Sequence, residues 1–157
     1  MSATLLCILA AFSVGVSALV ERETFDVSVS IPVSEFYVLP VDPGWMGLEQ
    51  KLEWDIVTSE LSPLRKHFDV KNSAGGVAAR LNAQPYISNG RDSENIALDV
   101  RFNKIKLTVN NAEVISAIDG KAGKRAELMI AAVKPAIGYK PGAYYGSVHL
   151  IFEAVAP

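Results

Sequence analysis

The sequence predicts an all-β protein with the architecture of a β-sandwich. About eight short apolar runs follow one another at intervals of roughly 8–12 residues, and residues that favour turns separate them. No segment shows a convincing helical period. The chain has 157 residues, 50% of them hydrophobic and 20% charged, which is typical of one ordinary globular domain and excludes a disordered or fibrous chain.

Residues 1–18 have the pattern of a cleaved export signal. An apolar run from Leu5 to Val16 leads to small residues and a cleavage point before Leu19. The run is shorter than the ~18 residues that a membrane-spanning helix needs. Cleavage would remove Cys7, the one cysteine of the chain, so we expect no disulfide, thiol chemistry or cysteine-based metal site in the mature protein.

The mature chain would begin with a strand of alternating apolar and polar residues. Its apolar side chains are Phe25, Val27, Val29 and Ile31, and polar residues stand between them. This alternation gives an extended strand one apolar and one polar side. The pattern alone fits either the first strand of a complete sandwich or a strand that a neighbouring molecule uses.

Behind the leading strand, the apolar runs predict further strands that are joined by turns. Residues 110–125 are predicted to form a loop, because Asn and Gly residues favour turns there. The predicted strands are, by residue number, 33–39, 48–57, 67–71, 77–81, 96–102, 105–109, 126–133 and 144–153.

Alternation within four of these strands predicts which side chains share a face towards the core. The residues concerned are Leu52, Trp54 and Ile56 in the strand 48–57; Ile96, Leu98, Val100 and Phe102 in 96–102; Leu128 and Ile130 in 126–133; and Val148, Leu150 and Phe152 in 144–153.

The sequence has no pattern that indicates a catalytic site, a metal site or a cofactor. His67 and His149 lie inside strands without further ligands at metal-binding spacing, and we expect both to face solvent. The serines lie outside any nucleophile elbow, and the glycines do not form a phosphate-binding loop. Fifteen basic and 17 acidic residues give a net charge of −2, so no nucleic-acid partner is expected.

Three stretches carry a resemblance to a known family. They are 20–22 with the following Val-Ser-Val-Ser strand, the hairpin sequence at 100–107, and the Gly-x-Tyr-x-Gly-x-Val pattern of residues 142–148. In these stretches, which span nearly the whole mature length, the chain resembles the coli-surface-antigen, or colonisation-factor, fimbrial major subunits. These are the alpha class of chaperone–usher pili.

The resemblance implies an immunoglobulin-like pilin sandwich that lacks its last strand and is completed by a donor strand from a neighbouring subunit. It divides the chain into the signal (1–18), a donor-strand extension (19–32) and the sandwich domain (33–157). The implied donor side chains are Phe25, Val27, Val29 and Ile31, and the implied acceptor groove contains Leu98, Val100, Phe102, Val148, Leu150 and Phe152.

The resemblance also implies a function and partners. The chain would be a non-enzymatic structural subunit that forms a homopolymer at the cell surface, with a periplasmic chaperone, an outer-membrane usher and a tip adhesin as partners. The alternative is a self-contained exported carbohydrate-binding β-sandwich, in which Trp45, Trp54 or the pair Tyr144 and Tyr145 would contact a sugar. A complete sandwich would be a stable monomer without any chaperone, and an incomplete one would aggregate or assemble.

Overall fold

Two antiparallel sheets enclose the hydrophobic core of the computed structural model, which describes residues 35–156. The predicted signal and the donor-strand extension, with Phe25, Val27, Val29 and Ile31, lie outside the described residues. The described elements are β1 (Phe36–Pro40), β2 (Trp54–Asp55), β3 (Glu60–Leu61), β4 (Leu64–Asn72), β5 (Gly76–Leu81), β6 (Tyr86–Ile87), β7 (Ile96–Phe102), β8 (Ile105–Lys106), β9 (Ala112–Ile115), α1 (Ala117–Ala122), β10 (Lys124–Ala132) and β11 (Leu150–Val155), with 3₁₀ turns at Pro43–Trp45 and Asp92–Glu94.

The order of the strands is that of an incomplete immunoglobulin-like sandwich. The first sheet has the order β1-β4-β10-β7-β6, with β8 paired to β7, and the second has the order β11-β5-β9. The order β1-β4-β10-β7 matches strands A, B, E and D of a constant-type immunoglobulin domain, and β5 and β11 match C and F. Within residues 35–156, no strand occupies the place of strand G beside β11.

The core lies between the two sheets, and in β7 and β10 it has the side chains that alternation predicts, whereas Trp54, also predicted to face the core, is 47% exposed. In β7, Ile96, Leu98, Val100 and Phe102 are buried and the residues between them are more exposed, as the sequence predicted. Leu128 of β10 is also buried, and Ile130 packs against the core. Both sheets contribute further buried residues, among them Phe68, Val70, Val77, Ala79, Leu81, Val114, Ile115 and Ala126.

The turn between β7 and β8 confirms the predicted hairpin. Asn103 and Lys104 both have positive φ angles, 49° and 70°. Two such residues form the type I′ turn, whose twist matches the twist of the strands that it joins. The strand after the turn is shorter than predicted: β8 is Ile105–Lys106, and the last bond to β7 in the described part of the chain is donated by the N–H of Leu107 to the carbonyl of Val100 at 2.9 Å.

The predicted strand 48–57 is wrong for most of its length. Asp55 Oδ1 accepts the backbone N–H groups of Val57 (2.7 Å) and Thr58 (3.1 Å), so the chain reverses directly after Asp55, which still pairs with Glu60. Ile56 and Val57 consequently lie at the tip of the β2–β3 hairpin, 83% and 93% exposed. A local hydrogen bond from an aspartate therefore competes with the strand that the alternation favours.

The predicted loop 110–125 is also wrong, because it contains β9 and α1. The hydroxyl of Ser116 accepts the N–H of Asp119 at 3.2 Å and caps the start of the helix. Gly123, with φ +86°, follows its last residue. The Ser-x-x-Asp spacing and this glycine were the available signals, but six residues are too few to show a helical period.

The last predicted strand begins later than predicted. The sequence favoured 144–153, whereas β11 begins at Leu150. Tyr145 instead exchanges two backbone hydrogen bonds with Ser88, each 2.9 Å long, beside β6 of the first sheet. The chain crosses from the first sheet to the second between Tyr145 and Leu150. Among the described residues, no helix is long and apolar enough to cross a membrane.

Candidate functional site

The outer edge of β11 is the most distinctive surface of the sandwich. One side of this strand pairs with β5 over its whole length, from Leu150 opposite Leu81 to Val155 opposite Gly76. No strand in the described part of the chain pairs with its other side. An edge strand of this kind presents a row of backbone donors and acceptors to any added strand.

The register identifies the backbone groups that point outward. Asn82 donates its N–H to the carbonyl of His149 at 3.0 Å, which makes these two residues a hydrogen-bonded pair. Hydrogen-bonded and non-hydrogen-bonded pairs alternate in an antiparallel ladder. Ile151, Glu153 and Val155 therefore direct their N–H and C=O groups to β5, and the groups of Leu150, Phe152 and Ala154 point to the open edge, where no described residue bonds them.

The inner face of the same segment is apolar and incompletely covered. Val148, Leu150 and Phe152 are half-buried and pack against the core. The Phe152 ring contacts the Phe102 ring edge-on, with a centroid distance of 4.9 Å. The face that sequence alternation predicted is thus present, and it lies next to the open edge.

The other three predicted groove residues lie deeper. Leu98, Val100 and Phe102 belong to β7 in the opposite sheet, and their exposed fractions are 9%, 1% and 0%. Phe102 is the member of this set that contacts a ring of β11. The structure therefore brings Phe102 and Phe152 together, and the acceptor role stays a prediction for all six residues.

A buried asparagine fixes the far end of β11. Asn72, the last residue of β4, is 1% exposed. Its Nδ2 donates to the carbonyls of Gly76 (2.6 Å) and Val155 (3.2 Å), and its Oδ1 accepts the N–H of Ala74 at 3.1 Å. Because buried polar groups need partners, these bonds join β4, the β4–β5 turn and the end of β11. Sequence reasoning missed Asn72, since nothing in its neighbours indicated burial.

The near end of β11 depends on a close backbone approach at Gly146. A Cβ atom at this position would overlap the carbonyl oxygen of Tyr86 and would lie 3.0 Å from Cγ2 of Ile87. Only glycine lets the chain pass β6 at this distance. The second glycine of the Gly-x-Tyr-x-Gly-x-Val pattern is therefore required by the structure, because the chain passes close to β6 on its way to the start of β11.

The solvent face of the sandwich carries ion pairs across neighbouring strands. Arg125 of β10 lies opposite Asp69 of β4 and forms two hydrogen bonds with it, of 2.8 and 3.0 Å. These bonds to Arg125 are the main reason why the pKa of the Asp69 carboxyl lies below its ordinary value of 3.8.

The two histidines that the sequence analysis considered, His67 and His149, are both exposed, as predicted.

A second candidate surface lies beside β6, whose Ile87 lines it. It is a cleft of about 680 Å³ between residues 49–54 and 139–146, and the rings of Trp54, Tyr139, Tyr144 and Tyr145 line it. Trp54 and Tyr139 are in edge-on contact at 5.5 Å. Burial, followed by the charge of Glu60, raises the pKa of Tyr139.

The aromatic residues that the sequence singled out for sugar contact therefore separate into two groups. Trp54, Tyr144 and Tyr145 line this cleft. Trp45 instead packs edge-on against Phe68 at 5.9 Å, and Nζ of Lys66 lies 5.1 Å from the centre of its ring.

Comparison with known proteins identifies the family. The model of the CS1 type fimbrial major subunit family matches residues 21–153. The chain belongs to this family. It is a structural subunit of a fimbria, and such subunits form a homopolymer that is exported to the cell surface.

A solved pilin supports the fold of this fimbrial subunit. The structure of the CooA pilin subunit from enterotoxigenic Escherichia coli superposes with a TM-score of 0.64 at 19% sequence identity. The match covers 76% of this chain and 87% of the CooA chain. Among curated proteins, no sequence matches this chain. The resemblance that the sequence showed to colonisation-factor major subunits is confirmed.

Proposed function

We propose that this fimbrial subunit is non-enzymatic and polymerises by donor-strand exchange at the outer edge of β11. The observation that carries the proposal is the open edge itself, where the backbone groups of Leu150, Phe152 and Ala154 point away from β5. An extended segment that pairs there would occupy the place of strand G in a complete immunoglobulin-like sandwich. This mode of binding is β-strand addition.

The proposed donor is the leading segment of the next subunit. Phe25, Val27, Val29 and Ile31 alternate with polar residues, so one face of the inserted strand would be apolar. That face would meet Val148, Leu150 and Phe152, which are half-buried. Burial of four such side chains contributes roughly 6–12 kcal/mol, from which the cost of ordering the arm must be subtracted.

The geometry of insertion accounts for a filament. A head-to-tail contact between an arm and a groove uses different surfaces on the two partners, and such a contact extends without limit unless it closes into a ring. Each subunit in the chain would donate one strand and accept one. The first subunit of the filament would donate its arm to a tip adhesin.

A periplasmic chaperone and an outer-membrane usher complete the proposal. An open strand edge beside an apolar face promotes aggregation. A subunit that crosses the periplasm as a monomer would therefore aggregate unless this edge were covered. A chaperone that supplies a strand of its own would protect the edge of β11 until the next subunit replaces it. The usher would bring the two subunits together at the outer membrane.

Deletion of residues 19–31 tests the proposal. The shortened subunit retains the acceptor edge but has no arm, so we expect a chaperone-bound monomer that does not form filaments in electron micrographs of cells. Restoring the arm with the four apolar residues intact should restore filaments, and an arm with Val27→Asp and Val29→Asp should not. Filaments from the shortened subunit alone would contradict the proposal.

A further inference from the structure

We propose that the cleft lined by Trp54, Tyr139, Tyr144 and Tyr145 binds a saccharide that carries an acidic group. The cleft lies within residues 49–146 of one subunit, so the inference does not depend on donor-strand exchange. Its volume of about 680 Å³ is within the range of sites for small ligands, which is roughly 300–1,000 Å³.

The shape and the rings of the cleft favour a ligand with flat apolar faces. Trp54 is 47% exposed and Tyr145 is 68% exposed, although both rings lie beside a concave surface. The edge-on contact with Tyr139 fixes Trp54, and the two backbone bonds to Ser88 fix the chain at Tyr145. Rigid aromatic rings whose faces carry partial negative charge suit the weakly positive C–H bonds of a sugar ring.

The polar groups at the same cleft favour hydroxyl groups at the edges of that ligand. Among the described residues, no hydrogen bond engages the indole N–H of Trp54 or the hydroxyl of Tyr145, and no ion pair engages the ammonium of Lys51. Tyr and Trp combine an apolar ring with such a polar group. A saccharide alternates apolar faces with hydroxyl edges and can satisfy both, whereas a purely apolar ligand would leave the polar groups without partners.

The charges at the cleft favour an acidic group on the saccharide. Its charged lining residues are Lys51, Lys140 and Glu49, two positive and one negative, so the local net charge is +1 in a chain of net charge −2. A carboxylate or sulfate near Lys51 would gain a charge-assisted hydrogen bond. A fimbria is exported to the cell surface, where it is accessible to glycans in the surroundings.

The test uses saturation-transfer NMR to measure the binding of 3′-sialyllactose to the purified full chain and to filaments. Lactose is the neutral comparison. We expect 3′-sialyllactose to bind at least tenfold more tightly than lactose. Trp54→Ala and Tyr145→Ala should each weaken binding at least tenfold, and Lys51→Gln should reduce the preference for the acidic sugar.

Two matched controls separate binding from folding. Tyr86→Ala removes an exposed tyrosine outside the cleft, and Lys121→Gln removes an exposed lysine on α1. Neither should change binding, and the circular dichroism spectrum of every variant should match that of the parent. The inference is overturned if neither sugar binds, if lactose binds as tightly as 3′-sialyllactose, or if Trp54→Ala and Tyr145→Ala bind like the controls. It is also overturned if Trp54 is buried by a neighbouring subunit in filaments.

Discussion

The ring of Phe152 lies 4.9 Å from the ring of Phe102, and their planes meet at 66°. This contact joins the edge strand β11 to the end of β7 in the opposite sheet. Phe102 in turn contacts Phe68 at 5.9 Å, and Phe68 contacts Trp45 at the same distance. A row of four aromatic rings therefore crosses the core and ends at the proposed acceptor edge.

Phe152→Ala should destabilise the subunit and also weaken insertion of the donor strand. Phe→Ala in a fully buried site costs roughly 3–5 kcal/mol, and Phe152 is half-buried, so we expect a decrease of about 2–3 kcal/mol in the free energy of unfolding. Urea unfolding of the mature chain measures this loss. Ile151→Ala is the control, since Ile151 is also half-buried but alternates to the opposite face of the same strand. A smaller effect at Phe152 than at Ile151 would contradict the assignment of the apolar face.

Asn72→Ala should cost about 2–3 kcal/mol of stability, because it removes the Nδ2 donor from the buried carbonyl of Gly76 and from the part-buried carbonyl of Val155. The measurement is the urea midpoint, together with hydrogen exchange at the end of β11. Asn82→Ala is the matched control, because the Asn82 side chain is exposed. An equal effect of the two substitutions would show that Asn72 does not anchor the strand.

Gly146→Ala should loosen the chain before β11. The new Cβ would overlap the Tyr86 carbonyl oxygen, and relief requires a backbone shift, which costs about 1–3 kcal/mol as in other overpacked sites. Gly142→Ala, where a Cβ would lie 3.4 Å from its nearest neighbours, should be tolerated. Thermal unfolding compares the two variants. If Gly146→Ala matches the parent, the close approach has no structural importance.

The ion pair between Asp69 and Arg125 should make stability depend on pH in the acid range. The pKa of Asp69 is lower in the folded chain than its ordinary value of 3.8, so its contribution is fully present above that value and is lost as the pH falls through the folded pKa. Asp69→Asn should therefore lower the urea midpoint at pH 7 and have no effect at a pH below the folded pKa. The difference should shrink in high salt, because both side chains are exposed.

Asp92→Asn is the control for this pair, since Asp92 is an exposed carboxylate that forms no ion pair with a described residue. We expect its urea midpoint to follow that of the parent at every pH. A pH-independent loss of stability in Asp69→Asn would instead indicate that packing, and not charge, is responsible.

Strands that face the core over their whole length could be predicted from the sequence. β7 is the best example, since Ile96, Leu98, Val100 and Phe102 are buried as the alternation required. The burial of apolar side chains sets both the position and the register of such a strand.

Elements that depend on polar or local interactions could not be predicted in the same way. The Asp55 side chain ends the strand 48–57, and Ser116 starts a helix that is too short for a periodic signal. Alternation predicted the apolar residues Val148, Leu150 and Phe152. It did not predict the open edge beside them, because the pairing of strands that are distant in sequence cannot be inferred from local sequence. That part of the site came from resemblance to a family.

Hydrogen exchange at the backbone amides of β11 tests the central claim most directly. The chain without residues 19–31, diluted out of its chaperone complex immediately before the measurement, should exchange fast at Phe152 and Ala154 and slowly at Ile151 and Glu153, whose amides face β5. Addition of a peptide with the sequence of residues 19–32 should then protect Phe152 and Ala154. Protection of these two amides before the peptide is added, or continued fast exchange afterwards, would contradict the account.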